Sequence, residues 1–178
     1  MARDIIALDD LTVNNLGVFK KINEVTLPIT YPESWYKQAL SSPNTIVQLA
    51  YYAELPVGVV KARAFHNNHS LKFNDFVNSN STGLLGVLSR TPNAVYVESF
   101  AVLQAYRGLG IGTKLVEYLK EETKKRFIHE IIIHVHVSNE DAIGWYRKQG
   151  FKQGELVKDY YKDQGLDNPD AYIFTLSV

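Results

Sequence analysis

Two stretches of this sequence combine residue types and spacings able to do chemistry. The first is Arg107-Gly108-Leu109-Gly110-Ile111-Gly112-Thr113, placed between an apolar strand-like run and an amphipathic helix. Glycines there remove side chains, so successive backbone N–H groups can converge on an anion. The helix that starts immediately afterwards adds unpaired N–H groups and the positive end of its dipole. Arg107 adds a forked, permanent charge. Together these make a pyrophosphate cradle. Its spacing is neither that of a P-loop nor that of the G-x-G-x-x-G dinucleotide fingerprint. The second stretch, Ser138-Asn139-Glu140-Asp141-Ala142-Ile143-Gly144-Trp145-Tyr146-Arg147-Lys148-Gln149-Gly150-Phe151, directly follows the next strand. Just before it stands His134, a candidate acid–base group.

These groups need a scaffold, and the hydrophobic pattern supplies one. A first strand is expected over Arg3 to Leu8. A helix follows, with Val13, Leu16, Phe19 and Ile22 at helical spacing and Thr12 or Asp10 as its cap. Pro28 and Pro32 interrupt it and bracket a turn from Leu27 to Tyr31. A short helix with Glu33, Trp35, Tyr36 and Leu40 comes next. Strands over Thr45–Ala53 and Val57–Phe65 flank Glu54-Leu55-Pro56, which suggests an antiparallel pair. Residues 66–93, rich in Asn and Ser, are expected to be a mobile insertion.

Beyond the insertion come a strand over Ala94–Val102, a helix over Gly110–Arg126, a strand over Glu130–Val137 and a helix over Asn139–Gln149. Strands over Phe151–Lys158 and Tyr172–Val178 close the chain. The alternation implies a mixed sheet covered by helices, in one domain spanning residues 1–178.

Composition narrows the function. Lys and Arg total 19, Asp and Glu total 19, and the net charge is zero. A protein that binds nucleic acid directly usually carries a basic face, so none is expected as a partner. With no cysteine, thiol nucleophiles, disulfides and thiolate metal sites are excluded. The five histidines lack ligand spacing, so no metal is expected. No apolar run approaches the roughly 18 residues of a membrane helix. The first ten residues, with Arg3, Asp4, Asp9 and Asp10, do not read as a secretory signal. A cytoplasmic protein without a membrane partner is the expectation.

The run A-V-L-Q-A-Y-R-G-L-G-I-G-T followed by S-N-E-D-A-I-G-W-Y-R-K-Q-G-F resembles the two acetyl-CoA motifs of the GNAT acetyltransferase superfamily. The resemblance implies a central mixed, mostly antiparallel α/β (α+β) sheet of about seven strands with about four helices. In that fold the fourth and fifth strands splay apart to hold acetyl-CoA. The expected cofactor contacts are Phe100, Val102, Arg107, Gly108, Gly110, Ile111, Gly112, Thr113, Asn139 and Tyr146.

L-P-I-T-Y, Q-L-A-Y-Y, Y-R-G-L-G-I-G-T, H-V-H-V-S-N-E and K-D-Y-Y-K occur in the order seen in one subgroup. It comprises the San-like catalytic subunits of NatE-type N-terminal acetyltransferases. The likeness spans nearly the whole chain outside the insertion. It implies Tyr96 and His134 as catalytic residues, Leu27, Pro28, Ile29 and Tyr31 as a first peptide-binding loop, and Tyr160 and Tyr161 as a second. It further implies acetylation of nascent or released N-termini, typically Met followed by a hydrophobic residue. Docking onto the NatA complex, and through it the ribosome, comes with the same resemblance. The chain departs from the subgroup at Leu27, where Phe is common, at Gly108, where a second Arg is common, and after Lys162.

The chemistry agrees with an α-amine acceptor. Its pKa is about 7.7–8.0 against about 10.4 for lysine, so deprotonating lysine costs about 3.5 kcal/mol more. A mild base suffices for the former. Strand alternation puts Glu130, Ile132, His134 and His136 on one face. Tyr96, on a face with Glu98 and Phe100, is a poor base and is expected to hold a water or orient the amine with His134. A main-chain N–H near Phe100–Val102 is the candidate to polarise the thioester carbonyl.

Judged singly, a strand histidine is most often a solvent-side residue, and His136 reads that way. Tyr96 alone reads as packing, Pro28 as a helix stop and Tyr160-Tyr161 as sheet aromatics. Two alternatives stand beside the main reading: a GNAT enzyme for lysine side chains or small amines, and a non-catalytic subunit of an acetyltransferase complex. Glu98 with Glu130 is too little acid for a polyamine groove.

Overall fold

The computed structural model describes residues 4–67 and 91–178. Most of the expected insertion, from 68 to 90, lies outside the described residues. Among the described residues, seven strands and four α-helices follow one another as β1 (Ile6–Asp10), α1 (Leu16–Thr26), α2 (Glu33–Ser41), β2 (Thr45–Tyr52), β3 (Leu55–Phe65), β4 (Ala94–Val102), α3 (Ile111–Lys125), β5 (Glu130–His136), α4 (Glu140–Lys148), β6 (Lys152–Val157) and β7 (Ala171–Ser177). The strands are hydrogen-bonded in the order β1-β2-β3-β4-β5-β7-β6. The β4–β5 pair is parallel, and the β1–β2, β2–β3, β5–β7 and β6–β7 pairs are antiparallel. The mixed, mostly antiparallel sheet with four helices is the one expected.

The chain divides into two compact units, Met1–Arg63 with Glu98–Glu122, and Ala64–Val97 with Thr123–Val178. In the first, β1, β2 and most of β3 carry α1 and α2 on a core of Phe19, Ile22, Trp35, Tyr36, Val59 and Ala101. The apolar stripe of α3 buries Ile111, Leu115, Val116 and Leu119, the periodicity that makes this segment a helix. In the second unit, Ile131, Ile133 and Val135 of β5 are buried with Phe174 and Leu176 of β7. Phe65, Ala94, Tyr96 and Ile132 form a separate cluster with Ile173 against it.

Several boundaries differ from expectation, each for a local reason. The first strand is Ile6–Asp10 rather than Arg3–Leu8, because its ladder with β2 runs from Ile6↔Tyr52 to Asp10↔Gln48. Helix α1 starts at Leu16, so Val13 lies outside its apolar face and is exposed. Neither Thr12 nor Asp10 caps it. Asn15 is the N-cap residue, and its side chain ties the preceding turn, accepting from Thr12 N at 2.7 Å and donating to Asp10 O at 3.0 Å.

The β2–β3 connection is shorter than Glu54-Leu55-Pro56. Ala53 and Glu54, both at positive φ (47° and 71°), form the turn, and Leu55 already pairs with Tyr52. Pro56 is accommodated inside β3 beside a register shift at Ala50/Tyr51, where a missing N–H is tolerated. At the edges of the expected insertion, Asn93 N donates to Phe65 O at 2.9 Å and Asn67 N to Asn93 Oδ1 at 2.6 Å.

Candidate active site

The second unit brings together Tyr96, His134 and Tyr160. β4 and β5 pair in parallel at Val95↔Ile131 and Tyr96↔Ile132. Two residues further on, His134 faces Tyr96, its Nδ1 3.0 Å from the phenol oxygen. The Tyr160 ring stacks on the imidazole at 4.0 Å and 14°, and its hydroxyl meets that of Tyr96. Tyr96 is itself steadied by an edge-on contact with Phe65 at 6.3 Å.

The turn carrying Tyr160 is fixed by its neighbours. Asp159, at φ 55°, donates its N–H to Asp170 Oδ1 at 2.9 Å, and Tyr161 donates its N–H to Pro169 O at 2.8 Å. Tyr161 is buried, meets Tyr160 edge-on at 4.6 Å and leans toward His136 at 5.7 Å. His136 hydrogen-bonds the Asn168 carbonyl and Ser138 Oγ. It serves to pin the loop.

Burial sets the electrostatics here. It lowers His134 to about 4, so the imidazole is neutral near pH 7. Burial also pushes the Tyr161 phenol up to about 12 and raises that of Tyr146 further still. A neutral imidazole bonded to a phenol can accept or relay a proton and carries no charge of its own.

Asn139 and Tyr146 belong to the same unit. Asn139 is the N-cap of α4 and accepts from Ala142 N at 3.2 Å, which leaves its amide N–H groups as donors. Tyr146 is buried with edge-on partners Phe151 at 5.3 Å and Trp145 at 5.1 Å. Its ring contributes to the interior of this unit.

The first unit carries the segment expected to form the anion cradle. Gly108 and Gly110 have φ of 78° and 89°, a conformation that side-chain-bearing residues rarely adopt. They turn the chain into α3, whose first turn holds Ile111, Gly112 and Thr113 and contains no acidic residue. No carboxylate of the helix's own first turn therefore competes for the N–H groups at its head. Arg107 is exposed and donates from Nε to Val102 O at 3.0 Å, which holds the guanidinium beside the loop. Phe100 and Val102 are half-buried on the last residues of β4. These residues fit a pyrophosphate group.

The same unit holds the Leu27–Tyr31 loop. Leu27 packs on the α1–α2 core, Pro28 is exposed and Ile29 is half-buried. Tyr31 donates its hydroxyl to Glu98 O at 2.6 Å and stacks on Trp35 at 3.9 Å and 12°.

Sequence reasoning missed the charges beneath this loop. Glu98, weighed above as one acid of a groove, is buried in an ion pair with the fully buried Lys61, and Arg63 approaches its other oxygen at 3.4 Å. The available signal was a base inside the apolar run Val59-Val60-Lys61-Ala62, with Arg63 following, and an acid closing the apolar run Val95-Tyr96-Val97-Glu98. Among the described residues there is no cluster of His, Asp or Glu able to hold a metal ion, and no helix is long and apolar enough to cross a membrane.

Comparison with known proteins agrees with this architecture. Residues 18–151 match the family model described as the acetyltransferase (GNAT) family. The chain is 30% identical to N-alpha-acetyltransferase 50 of Danio rerio, across 97% of this chain and 89% of that protein. It is 28% identical to the probable N-acetyltransferase san of Drosophila melanogaster, across 97% and 81%. The structure superposes on Arabidopsis thaliana Naa50, solved in complex with the bisubstrate analogue CoA-Ac-MVNAL, with a TM-score of 0.76 at 27% identity, covering 98% of this chain and 100% of that one.

Proposed function

The chain belongs to the acetyltransferase (GNAT) family, and we propose that it transfers the acetyl group of acetyl-CoA to the free α-amine of protein N-termini. Met followed by a hydrophobic residue is the proposed acceptor. The observation that carries this reading is the neutral, half-buried His134 hydrogen-bonded to Tyr96.

The magnitude of that shift argues for the acceptor class. Direct proton transfer from an α-ammonium of pKa about 8 to an imidazole near 4 is uphill by about 5 kcal/mol, and from lysine by about 9 kcal/mol. The pair is thus a weak base, suited to an amine that is already partly neutral. At pH 7.4 roughly a quarter of α-amines are neutral, against about one lysine in a thousand.

Acetyl-CoA supplies an activated thioester carbonyl. The amine nitrogen bonds to that carbon, the C–S bond breaks so that CoA leaves as a thiolate that takes up a proton from solvent, and the amine's proton passes to Tyr96 and His134, through water or directly, and on to solvent. Arg107, Gly108, Gly110, Ile111, Gly112 and Thr113 hold the pyrophosphate, and Asn139 offers its amide to the rest of the cofactor. Tyr146, buried on α4, is proposed with Asn139 to face the pantetheine and acetyl end of the cofactor.

Pro28, Ile29 and Tyr31 on one loop and Tyr160 and Tyr161 on the other receive the peptide. The Arabidopsis relative, whose bound analogue joins CoA and acetyl to a peptide beginning Met-Val, supports Met with an apolar second residue. NatA, and through it the ribosome, is the proposed partner, and the cytoplasm the proposed compartment. With zero net charge, ribosome attachment rests on the partner complex and not on bulk electrostatics.

The deciding experiment offers acetyl-CoA with Met-Leu peptides, and separately with N-terminally blocked peptides carrying a free lysine. Transfer to the free α-amine is expected. Transfer confined to lysine, or to neither peptide despite acetyl-CoA binding, overturns the reading.

A further inference from the structure

We propose that the buried Lys61–Glu98 ion pair is a positioning device that holds the Leu27–Tyr31 loop in its peptide-binding shape. The proposal rests on the reading of that loop as a peptide-binding element.

The starting point is an energetic oddity. Lys61 is fully buried and Glu98 is 8% exposed. Removing two charges from water costs several kcal/mol each, and a buried pair is often no more stabilising than apolar residues of the same volume. Burial alone lowers the affinity of Lys61 for its proton, and the Glu98 carboxylate opposes that. Stability therefore gives little reason for a charge pair in strands as apolar as Val57–Val60 and Ala94–Val97.

The contacts of the pair converge on one loop. The Lys61 ammonium stands 4.1 Å from the centroid of the Trp35 ring. Among the described residues the buried Trp35 Nε1 meets no hydrogen-bond partner, so ring contacts, with Phe19 and Tyr36 as well as Tyr31 and Lys61, orient this indole. One of its faces stacks on Tyr31 at 3.9 Å. Tyr31 in turn donates its hydroxyl to the main-chain carbonyl of Glu98 at 2.6 Å, and the Glu98 carboxylate returns to Lys61.

The circuit Lys61, Trp35, Tyr31, Glu98 is closed. Each member is restrained by two others, and Tyr31 is the end of the Leu27–Tyr31 loop. A cation over a desolvated indole and a stacked aromatic pair are directional as well as attractive. They fix the orientation of the loop as well as its burial. An apolar pair in place of Lys61 and Glu98 would fill the volume but remove the cation from the Trp35 face, leaving the indole held only by its aromatic neighbours Tyr31, Phe19 and Tyr36.

The test compares the wild-type chain with Lys61→Met/Glu98→Leu, which removes both charges of the pair together, at the loss of the 3.4 Å contact between Arg63 and the Glu98 carboxylate. This variant is expected to fold with a Tm equal to or above wild type. Its KM for a Met-Leu peptide is expected to rise about tenfold, the order of a lost desolvated cation–π contact. Its KM for acetyl-CoA and its kcat stay within about twofold, the signature of lost uniform binding. Amide hydrogen exchange at residues 27–31 is expected to accelerate.

Glu98→Gln is the second variant, isosteric and lacking the counter-ion, and is expected to show the same split. A folded double variant with unchanged peptide KM and unchanged exchange at 27–31 overturns the proposal and makes the pair core filling. If the wild type acetylates no free N-terminus, the functional reading fails while the exchange measurement still decides whether the pair positions the loop.

Discussion

Tyr96 Oη lies 3.0 Å from His134 Nδ1, although the two residues are 38 positions apart, and burial keeps the imidazole neutral near pH 7. Their strands pair in parallel at Tyr96↔Ile132, so His134 stands one side-chain repeat beyond the ladder partner of the tyrosine. A neutral imidazole hydrogen-bonded to a phenol oxygen is suited to relaying a proton rather than holding a charge. The following expectations build on that pair and on the elements around it.

Removing either partner should act on turnover. Tyr96→Phe keeps the ring and its packing on Phe65 while deleting the hydroxyl, and His134→Ala deletes the acceptor. Each is expected to lower kcat for a Met-Leu peptide by about 100-fold, the scale of a positioned acid–base group, with the KM for acetyl-CoA little changed. Steady-state kinetics check this; an unchanged kcat in both variants removes the pair from the chemistry.

The same histidine makes the fold sensitive to acid. Its folded value is about 4, below the ordinary 6.5, so between these values the unfolded chain binds a proton that the folded chain does not. Stability then rises with pH across that window, and falls as pH drops from about 6.5 to 4. The loss reaches at most about 3 kcal/mol. Urea unfolding at pH 7 and pH 4.5 measures it, and His134→Phe is expected to flatten the difference.

The cradle can be tested through its backbone. A methyl group on Gly110 would meet open space, with Ile6 Cδ1 nearest at 3.9 Å, so Gly110→Ala acts through its φ of 89° rather than through a clash. Forcing that conformation costs about 1–2 kcal/mol, and relaxing it moves N–H groups away from the anion. Acetyl-CoA binding is expected to weaken about tenfold by calorimetry, with the peptide KM unchanged. Undiminished binding contradicts the cradle.

The β2–β3 turn offers a gain in stability away from the chemistry. Ala53 and Glu54 both hold positive φ without being glycine, in a two-residue hairpin turn that favours Asn-Gly. Glu54→Gly relieves the strain at some cost in chain entropy and is expected to add about 0.5–1 kcal/mol. Thermal unfolding should show a higher Tm at unchanged activity.

Gly154 makes the opposite case. A Cβ there would lie 2.9 Å from Ile173 Cγ2 and 3.3 Å from the Ile173 carbonyl oxygen, and Ile173 is the ladder partner of His134. The β-branched side chain has little freedom to yield. Gly154→Ala is expected to cost about 1–3 kcal/mol, read as a lower denaturation midpoint with kcat falling less than in His134→Ala.

Much of this molecule was legible in one dimension because local chemistry wrote it there. The glycines of Arg107–Thr113, the helical spacing of Leu115 and Leu119 and the alternation of Glu130–His136 depend on neighbours within a few residues. The order of strands and helices followed from them, and the cradle needed only the glycine turn and the helix start. Ends of elements were less legible. Where β1 begins was decided by its partner strand, and Asn15 rather than Thr12 or Asp10 took the N-cap because its side chain could tie the turn before it.

Tertiary structure alone decided what the side chains meet. Tyr160 was readable as a peptide-loop aromatic, yet its stacking on His134 depends on a turn anchored through Asp170 and Pro169. The neutrality of His134 is a product of burial, which no spacing encodes. Lys61 and Glu98 are 37 residues apart, on two largely apolar strands, and only the fold sets them against each other beneath Trp35. Periodicity and turn chemistry are local and survive in the sequence. Desolvation and long-range pairing are created by packing, and exist only once the chain has folded.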